Sequence, residues 1–190
     1  YQEYVNSKLD EYIDQDESLP EKNLNHSMKY SLMAGGKRIR PILMLATYEL
    51  FKEGFKDECV PFFVGMEMVH NFSLIHDDLP AIDNDDFRHG KPTNHKVFGE
   101  NIAILAGDGL LNYAYIVIMD ELLKDNSKEK ILAANEFSKQ VYRMIIGETV
   151  DVECEGKEIS LELLEYMHKN KTGALIKESV RIGAILGRSK

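Results

Sequence analysis

Residues 77–93 read Asp-Asp-Leu-Pro-Ala-Ile-Asp-Asn-Asp-Asp-Phe-Arg-His-Gly-Lys-Pro-Thr, with five acidic residues inside ten positions and a basic tail directly behind them. Carboxylates gathered at the end of an apolar helical run repel one another and lose hydration unless cations neutralise them. All-oxygen carboxylate sites suit Mg²⁺, which keeps several waters and shares its coordination sphere with substrate phosphates. The basic residues beside the cluster would meet the same phosphates. Pro80 weighs against the bland alternative, a smooth or merely solvated acidic stretch, because its ring would clash with the carbonyl of His76 in a continuous helix. On an unbroken helix Asp77 and Asp83 would stand about 240° apart round the axis, too far to share a metal. A turn through Leu79-Pro80-Ala81 would bring Asp83 back beside Asp77, so the proline predicts a shaped site.

Two other stretches can serve the same chemistry. Gly35-Gly36-Lys37-Arg38-Ile39-Arg40-Pro41 delivers three cations just before and at a predicted helix start, where Pro41 suits the first turn. Free amides at a helix start favour anions as well. Taken alone, such a run reads as a solvated basic turn; beside an acidic cluster it reads as an anion grip. His70 lies seven residues before Asp77, which places the two within about 20° on one helix face, and Ser73 joins that face.

Bulk properties set the frame. The 190 residues suffice for one sizeable core, and 44% hydrophobic with 29% charged content is ordinary for a globular protein. A net charge of −9 argues against nonspecific nucleic-acid binding, which needs basic surface. No uninterrupted apolar run approaches the roughly 20 residues needed to span a bilayer. Tyr1-Gln2-Glu3-Tyr4 lacks the basic and apolar regions of a signal peptide. Cys59 and Cys154 show no metal or disulfide spacing, which fits a reducing, cytoplasmic setting.

Helical periodicity positions these residues. Helices are predicted over 2–14, 21–34, 42–51, 60–78, 101–124, 128–154 and from Ser160 to Lys171, followed by an apolar run from Ala174 to Leu186. The charged stretch 52–58 reads as a linker, and Gly107-Asp108-Gly109 as an interruption that suits a close helix contact. The helix over 60–78 is apolar nearly all round, the mark of a central, buried one. No strand or hairpin signal is found. The fold class is all-α, with roughly eight helices in a single domain over 1–190.

The motifs now quoted resemble those of the head-to-tail isoprenyl diphosphate synthases, the polyprenyl synthetase family. Gly35 to Pro41 resembles its first substrate motif, and Asp77-Asp78 through Asp83, Arg88, Gly90 and Pro92-Thr93 its first aspartate-rich motif. Gly107-Asp108 with Leu110-Leu111 resembles the following helix, and Lys171-Thr172-Gly173 the later lysine–threonine element. The form with two extra residues between the aspartates is similar to bacterial farnesyl diphosphate synthases.

The resemblance implies a helical bundle around a central cavity, a homodimer, and condensation of isopentenyl diphosphate with an allylic diphosphate. Asp77 and Asp83 would bind Mg²⁺, two or three ions in all, with Asp78 in support. Arg88, Lys171 and Thr172 would hold the allylic diphosphate. Lys37, Arg40, His70 and His89 would hold isopentenyl diphosphate. Phe72 and Ser73, one turn before Asp77, would set product length, and the ring at Phe72 predicts farnesyl diphosphate, with geranylgeranyl diphosphate the nearest rival.

The sequence departs from the family in three places. His89 stands where a second Arg is usual, and the loss of a permanent forked charge predicts weaker or more pH-dependent isopentenyl diphosphate binding. Glu148 stands where Gln is common. The family's second aspartate-rich motif is not reached before Lys190, so the chain is expected to be the N-terminal two-thirds of a longer enzyme, without its C-terminal helices, or to need a partner. Two further readings compete: a non-catalytic subunit of a heteromeric synthase, and a di-iron carboxylate protein built on Glu67-x-x-His70 and Glu165-x-x-His168.

Overall fold

The computed structural model describes residues 1–13, 15–53 and 56–188, with the side chain of Lys56 excluded. Asp14, Gly54-Phe55 and Ser189-Lys190 lie outside the described residues, and so do the predicted end of the first helix and part of the predicted linker at 52–58. Among the described residues there are nine α-helices: α1 (Gln2–Asp10), α2 (Lys22–Leu32), α3 (Ile39–Glu49), α4 (Val60–Asp77), α5 (Asn94–Phe98), α6 (Glu100–Lys124), α7 (Lys128–Cys154), α8 (Leu161–Lys171) and α9 (Gly173–Gly187). A 3-10 turn (Lys56–Cys59) precedes α4. The all-α expectation holds.

The sequence reading needs three corrections. A short antiparallel hairpin, β1 (Phe87–Arg88) with β2 (Lys91–Pro92), stands where no strand signal was found. His89 and Gly90 turn it with φ of 53° and 77°. Two successive residues at positive φ make the turn that suits a two-residue hairpin, and His substitutes for the usual Asn at the first of them. The five-residue α5 was also missed. Gly107-Asp108-Gly109 does not interrupt α6, which is continuous. By length and composition α6 could cross a membrane, but Asp108 breaks its apolar run, so the expectation that no uninterrupted apolar run nears 20 residues is not contradicted.

The chain divides into two compact units, one of residues 1–38 and 64–119, the other of 39–63 and 120–190. In the first, α4 carries Val64, Met66, Met68 and Val69 fully buried, as its all-round apolarity requires. α6 lies close to α4, because a Cβ at Gly107 would land on the ring of His76 and one at Gly65 would press on Ile118 and the carbonyl of Ala114. Val5 and Leu9 of α1 and Met28 and Leu32 of α2 complete this core. The hairpin is tied to α2: the Tyr30 hydroxyl donates to the Pro92 carbonyl at 2.8 Å, and Asn94 exchanges hydrogen bonds with Ser27.

In the second unit α9 packs on α3 and α7, and α8 packs on α7. Gly183 and Gly187 lie against the backbone of Met44 and Tyr48, which lets α9 approach α3 at backbone distance. Ser160 caps α8, its hydroxyl accepting from the Leu163 amide at 3.2 Å. The helix stops at Lys171, and Thr172 is the break before α9.

Candidate active site

The acidic turn forms as the proline argument requires. α4 ends at Asp77, and the chain then folds back so that the Asp83 amide donates to the Asp77 carbonyl at 2.8 Å. The amides of Ile82 and Asn84 both donate to the Leu79 carbonyl, closing the turn around Pro80. Asp77 and Asp78 are buried and Asp83 is exposed, so the turn has a held side and an open side.

Arg88, on β1, reaches back across the hairpin to Asp78. Its Nε donates to Asp78 Oδ1 at 3.0 Å, its Nη2 makes a second, shorter contact to the same oxygen, and Asp85 Oδ2 lies 3.3 Å from Nη2. Burial pushes the Asp78 carboxyl up from its usual range, and the hydrogen bond and charge of Arg88 oppose that only in part. Asp86 is taken by Lys96 at 2.7 Å, which holds its carboxyl below the usual range. Asp78, Arg88, His89, Asn71 and Thr93 line a cavity of about 20 Å³, room for a single water.

The Gly-Gly loop meets the hairpin. Gly35 and Gly36 sit at φ of 119° and 101°, a conformation that glycine reaches without strain. The His89 ring stands over Gly36, its Nε2 at 3.6 Å from where a Cβ would be. His89 and the loop that presents the exposed Lys37 are therefore neighbours. Ser73 turns its hydroxyl onto its own helix, donating to the His70 carbonyl at 2.9 Å. Phe72 is buried and meets the His76 ring edge-on at 5.0 Å.

Arg40, Lys171 and Thr172 belong to the second unit. Arg40 is half-buried in the first turn of α3. Lys171 closes α8 between two carboxylates of α7, Glu148 at 2.8 Å and Asp151 at 2.5 Å. Burial works against the Lys171 ammonium, but its hydrogen bonds to Asp151 and Glu148 more than offset this and raise its pKa. Gly147 makes the crossing possible, since a Cβ there would land on the Lys171 backbone.

Sequence reasoning missed the partners that hold the cations. Glu148 was read as standing where Gln is common, and nothing marked it or Asp151 as a partner of Lys171. Glu67 was read only as half of a Glu-x-x-His pattern. Its carboxylate is instead buried against Arg38 at 2.7 Å, which removes the basis of the di-iron reading. Among the described residues no three His, Cys, Asp or Glu side chains gather closely enough to hold a metal by themselves.

The class of protein is now defined. The sequence matches the polyprenyl synthetase family over residues 21–190, and the chain belongs to that family. It is 47% identical to a farnesyl diphosphate synthase of Geobacillus stearothermophilus, covering 96% of this chain and 62% of that protein. It is 44% identical to a chloroplastic geranylgeranyl pyrophosphate synthase of Capsicum annuum, over 96% of this chain and 49% of that one. The fold superposes on an FPP/GFPP synthase of Zymomonas mobilis with a TM-score of 0.91 and 31% identity, covering 99% of this chain and 68% of that structure. The chain thus spans about half to two-thirds of the length of the relatives it matches.

Proposed function

We propose that the protein carrying this chain, as one all-α synthase domain, is a Mg²⁺-dependent prenyltransferase that condenses isopentenyl diphosphate with dimethylallyl or geranyl diphosphate to give farnesyl diphosphate. The observation that carries this reading is the hydrogen bond from the Asp83 amide to the Asp77 carbonyl, which puts two carboxylates on one turn with Arg88 clamped behind them. Names of relatives support the same chemistry, and they include both farnesyl and geranylgeranyl synthases.

The donor set fits Mg²⁺. Asp77 and Asp83 are hard oxygen ligands on a single turn, and Mg²⁺ is commonly held by one or two carboxylates plus substrate phosphates. When bound, the ions would neutralise the diphosphate and favour its departure. The chain's own residues do the rest. Lys171 and Thr172, with Arg88, hold the allylic diphosphate. Lys37, Arg40, His70 and His89 hold isopentenyl diphosphate. The allylic C–O bond breaks and pyrophosphate leaves with the bonding pair. The isopentenyl double bond supplies the electrons of the new C–C bond, and a proton then passes to the released pyrophosphate. Apolar walls such as Phe72 keep water from the allylic cation.

Phe72 and Ser73 set product length in this reading. Incubation with isopentenyl and geranyl diphosphates plus Mg²⁺ should give a fifteen-carbon product, and Phe72→Ala should lengthen it. An unchanged product distribution would remove Phe72 from that role, and no condensation product at all would sink the reading. The enzyme acts as a cytoplasmic homodimer. Support for a second copy comes from the apolar stripe exposed on α6 at Ile104, Leu105, Ile116 and Met119, and light scattering tests it.

A further inference from the structure

Arg38 sits in the middle of the Gly-Gly-Lys-Arg run, yet it is the buried member of it. Its side chain is 2% exposed, while Lys37 beside it faces solvent. Its backbone lies at φ 52°, a left-handed conformation that non-glycine residues seldom adopt and that costs on the order of 1 kcal/mol or more. Such an outlier persists only where its surroundings over-determine it. Here the guanidinium spends its donors in three directions. Nε donates to Asn6 Oδ1 at 2.9 Å, Nη1 to Glu67 Oε1 at 2.7 Å, and Nη2 to the Leu32 carbonyl at 2.7 Å. These partners come from α1, α4 and the end of α2.

α1 grips the same loop a second time. Gln2, one turn before Asn6, donates through Nε2 to the Gly36 carbonyl at 3.1 Å. The His89 ring also lies against this loop, its Nε2 3.6 Å from where a Gly36 Cβ would be. Lys37 therefore projects from a loop whose residues on either side are both tied down. α1 lies outside residues 21–190, where the family match begins and ends.

We propose that Arg38, Glu67 and the α1 residues Asn6 and Gln2 form a lock that fixes the Gly36–Arg38 backbone, and that through it α1 positions Lys37 for its diphosphate ligand. None of the four touches the ligand; they are positioning residues. That the ligand is isopentenyl diphosphate rests on the reading above. The lock itself does not. A Lys ammonium on a long stem gains little from binding unless its backbone is already placed, so pre-ordering the loop should appear as affinity for one substrate.

The test uses the protein carrying this chain. Asn6 is at the surface end of the lock, so Asn6→Ala should fold. Trypsin should then cleave after Lys37 about tenfold faster under native conditions, and the urea midpoint should fall by no more than the loss of that one hydrogen bond to a charged group explains. The KM for isopentenyl diphosphate should rise by a similar factor, while kcat and the KM for the allylic substrate stay as in the wild type. Gln2→Ala should move both readouts in the same direction but less. Asn6→Asp keeps an acceptor for Nε and should restore them. Equal losses for both substrates, or loop cleavage at the wild-type rate in Asn6→Ala, would overturn the proposal. If the wild type condenses neither substrate, the functional reading fails on its own, and the trypsin rates alone decide the lock.

Discussion

Arg38 and Lys171 are both cations held by carboxylates, one in each compact unit, but they are held in different ways. Arg38 meets Glu67 with side chains 2% and 5% exposed, and every donor direction it uses ends on a fixed acceptor. Lys171 is 27% exposed between Glu148 and Asp151, which are 20% and 39% exposed. A buried pair of matched geometry cannot lose one member cheaply, because the other is left charged in a poor solvent. A part-exposed ammonium with two carboxylates can exchange a partner for another anion at small cost, since water screens the change. The first arrangement fixes a backbone. The second keeps a cation available while leaving its surroundings one charge negative.

If the contrast is right, the largest effect belongs to Glu67→Ala. It strands Arg38 and should lower unfolding free energy by about 3–5 kcal/mol, read from the urea midpoint. Lys171→Ala should change stability by no more than about 1 kcal/mol. It should nevertheless lower kcat/KM for the allylic substrate by roughly tenfold to a hundredfold, the worth of a charge-assisted hydrogen bond. Comparable stability losses in the two variants would erase the distinction.

Glu178 sharpens the comparison as a third case, an acid with an ion partner nearby but no hydrogen bond. It is fully buried on α9, neither carboxylate oxygen has a hydrogen-bond partner, and Arg181 Nε stands 3.8 Å away. Burial, then the nearby charge of Glu136, pushes its carboxyl up to about 7. An acid whose folded pKa is raised contributes stability that is complete below its unfolded pKa and is lost as pH rises through the folded value. The melting temperature should therefore fall between about pH 4.5 and 7 and level off above, and Glu178→Gln should flatten that fall, gaining about 2–4 °C per kcal/mol recovered at pH 8. Identical pH profiles for the two proteins would remove Glu178 from this role. The smallest effect is expected from Glu148→Gln. Removing one of the two charges on Lys171 should lower the KM for the allylic substrate by about twofold to fivefold, with stability nearly unchanged.

The acidic turn was legible because Pro80 carries its own steric argument: a proline at that point must end the helix, and the aspartates on either side then have one way to meet. The helices around it were legible from their period. The hairpin was not, because its strands are two residues long and its turn uses His89 where Asn would have signalled it. The glycines at 107 and 109 suggested a close helix contact, which Gly107 makes against His76, but not that the helix would run through them unbroken. The lock on Arg38 left no pattern at all. Its members lie 29 and 32 residues from Arg38 along the chain, and only the fold makes Asn6 and Glu67 neighbours.

Gly147 has a consequence for how this protein can vary. Every glycine codon is a single base from an alanine codon, and two of the four are a single base from a serine codon, so Gly147→Ala and, from those two, Gly147→Ser arise readily in any pool of mutants. Either side chain would meet the backbone of Lys171, not a flexible tip that could swing aside. The chain therefore has an uncharged position, next to Glu148, at which a single substitution displaces Lys171 while leaving every charged residue unaltered. In a library selected for function, residue 147 should stay glycine as strictly as residue 171 stays lysine.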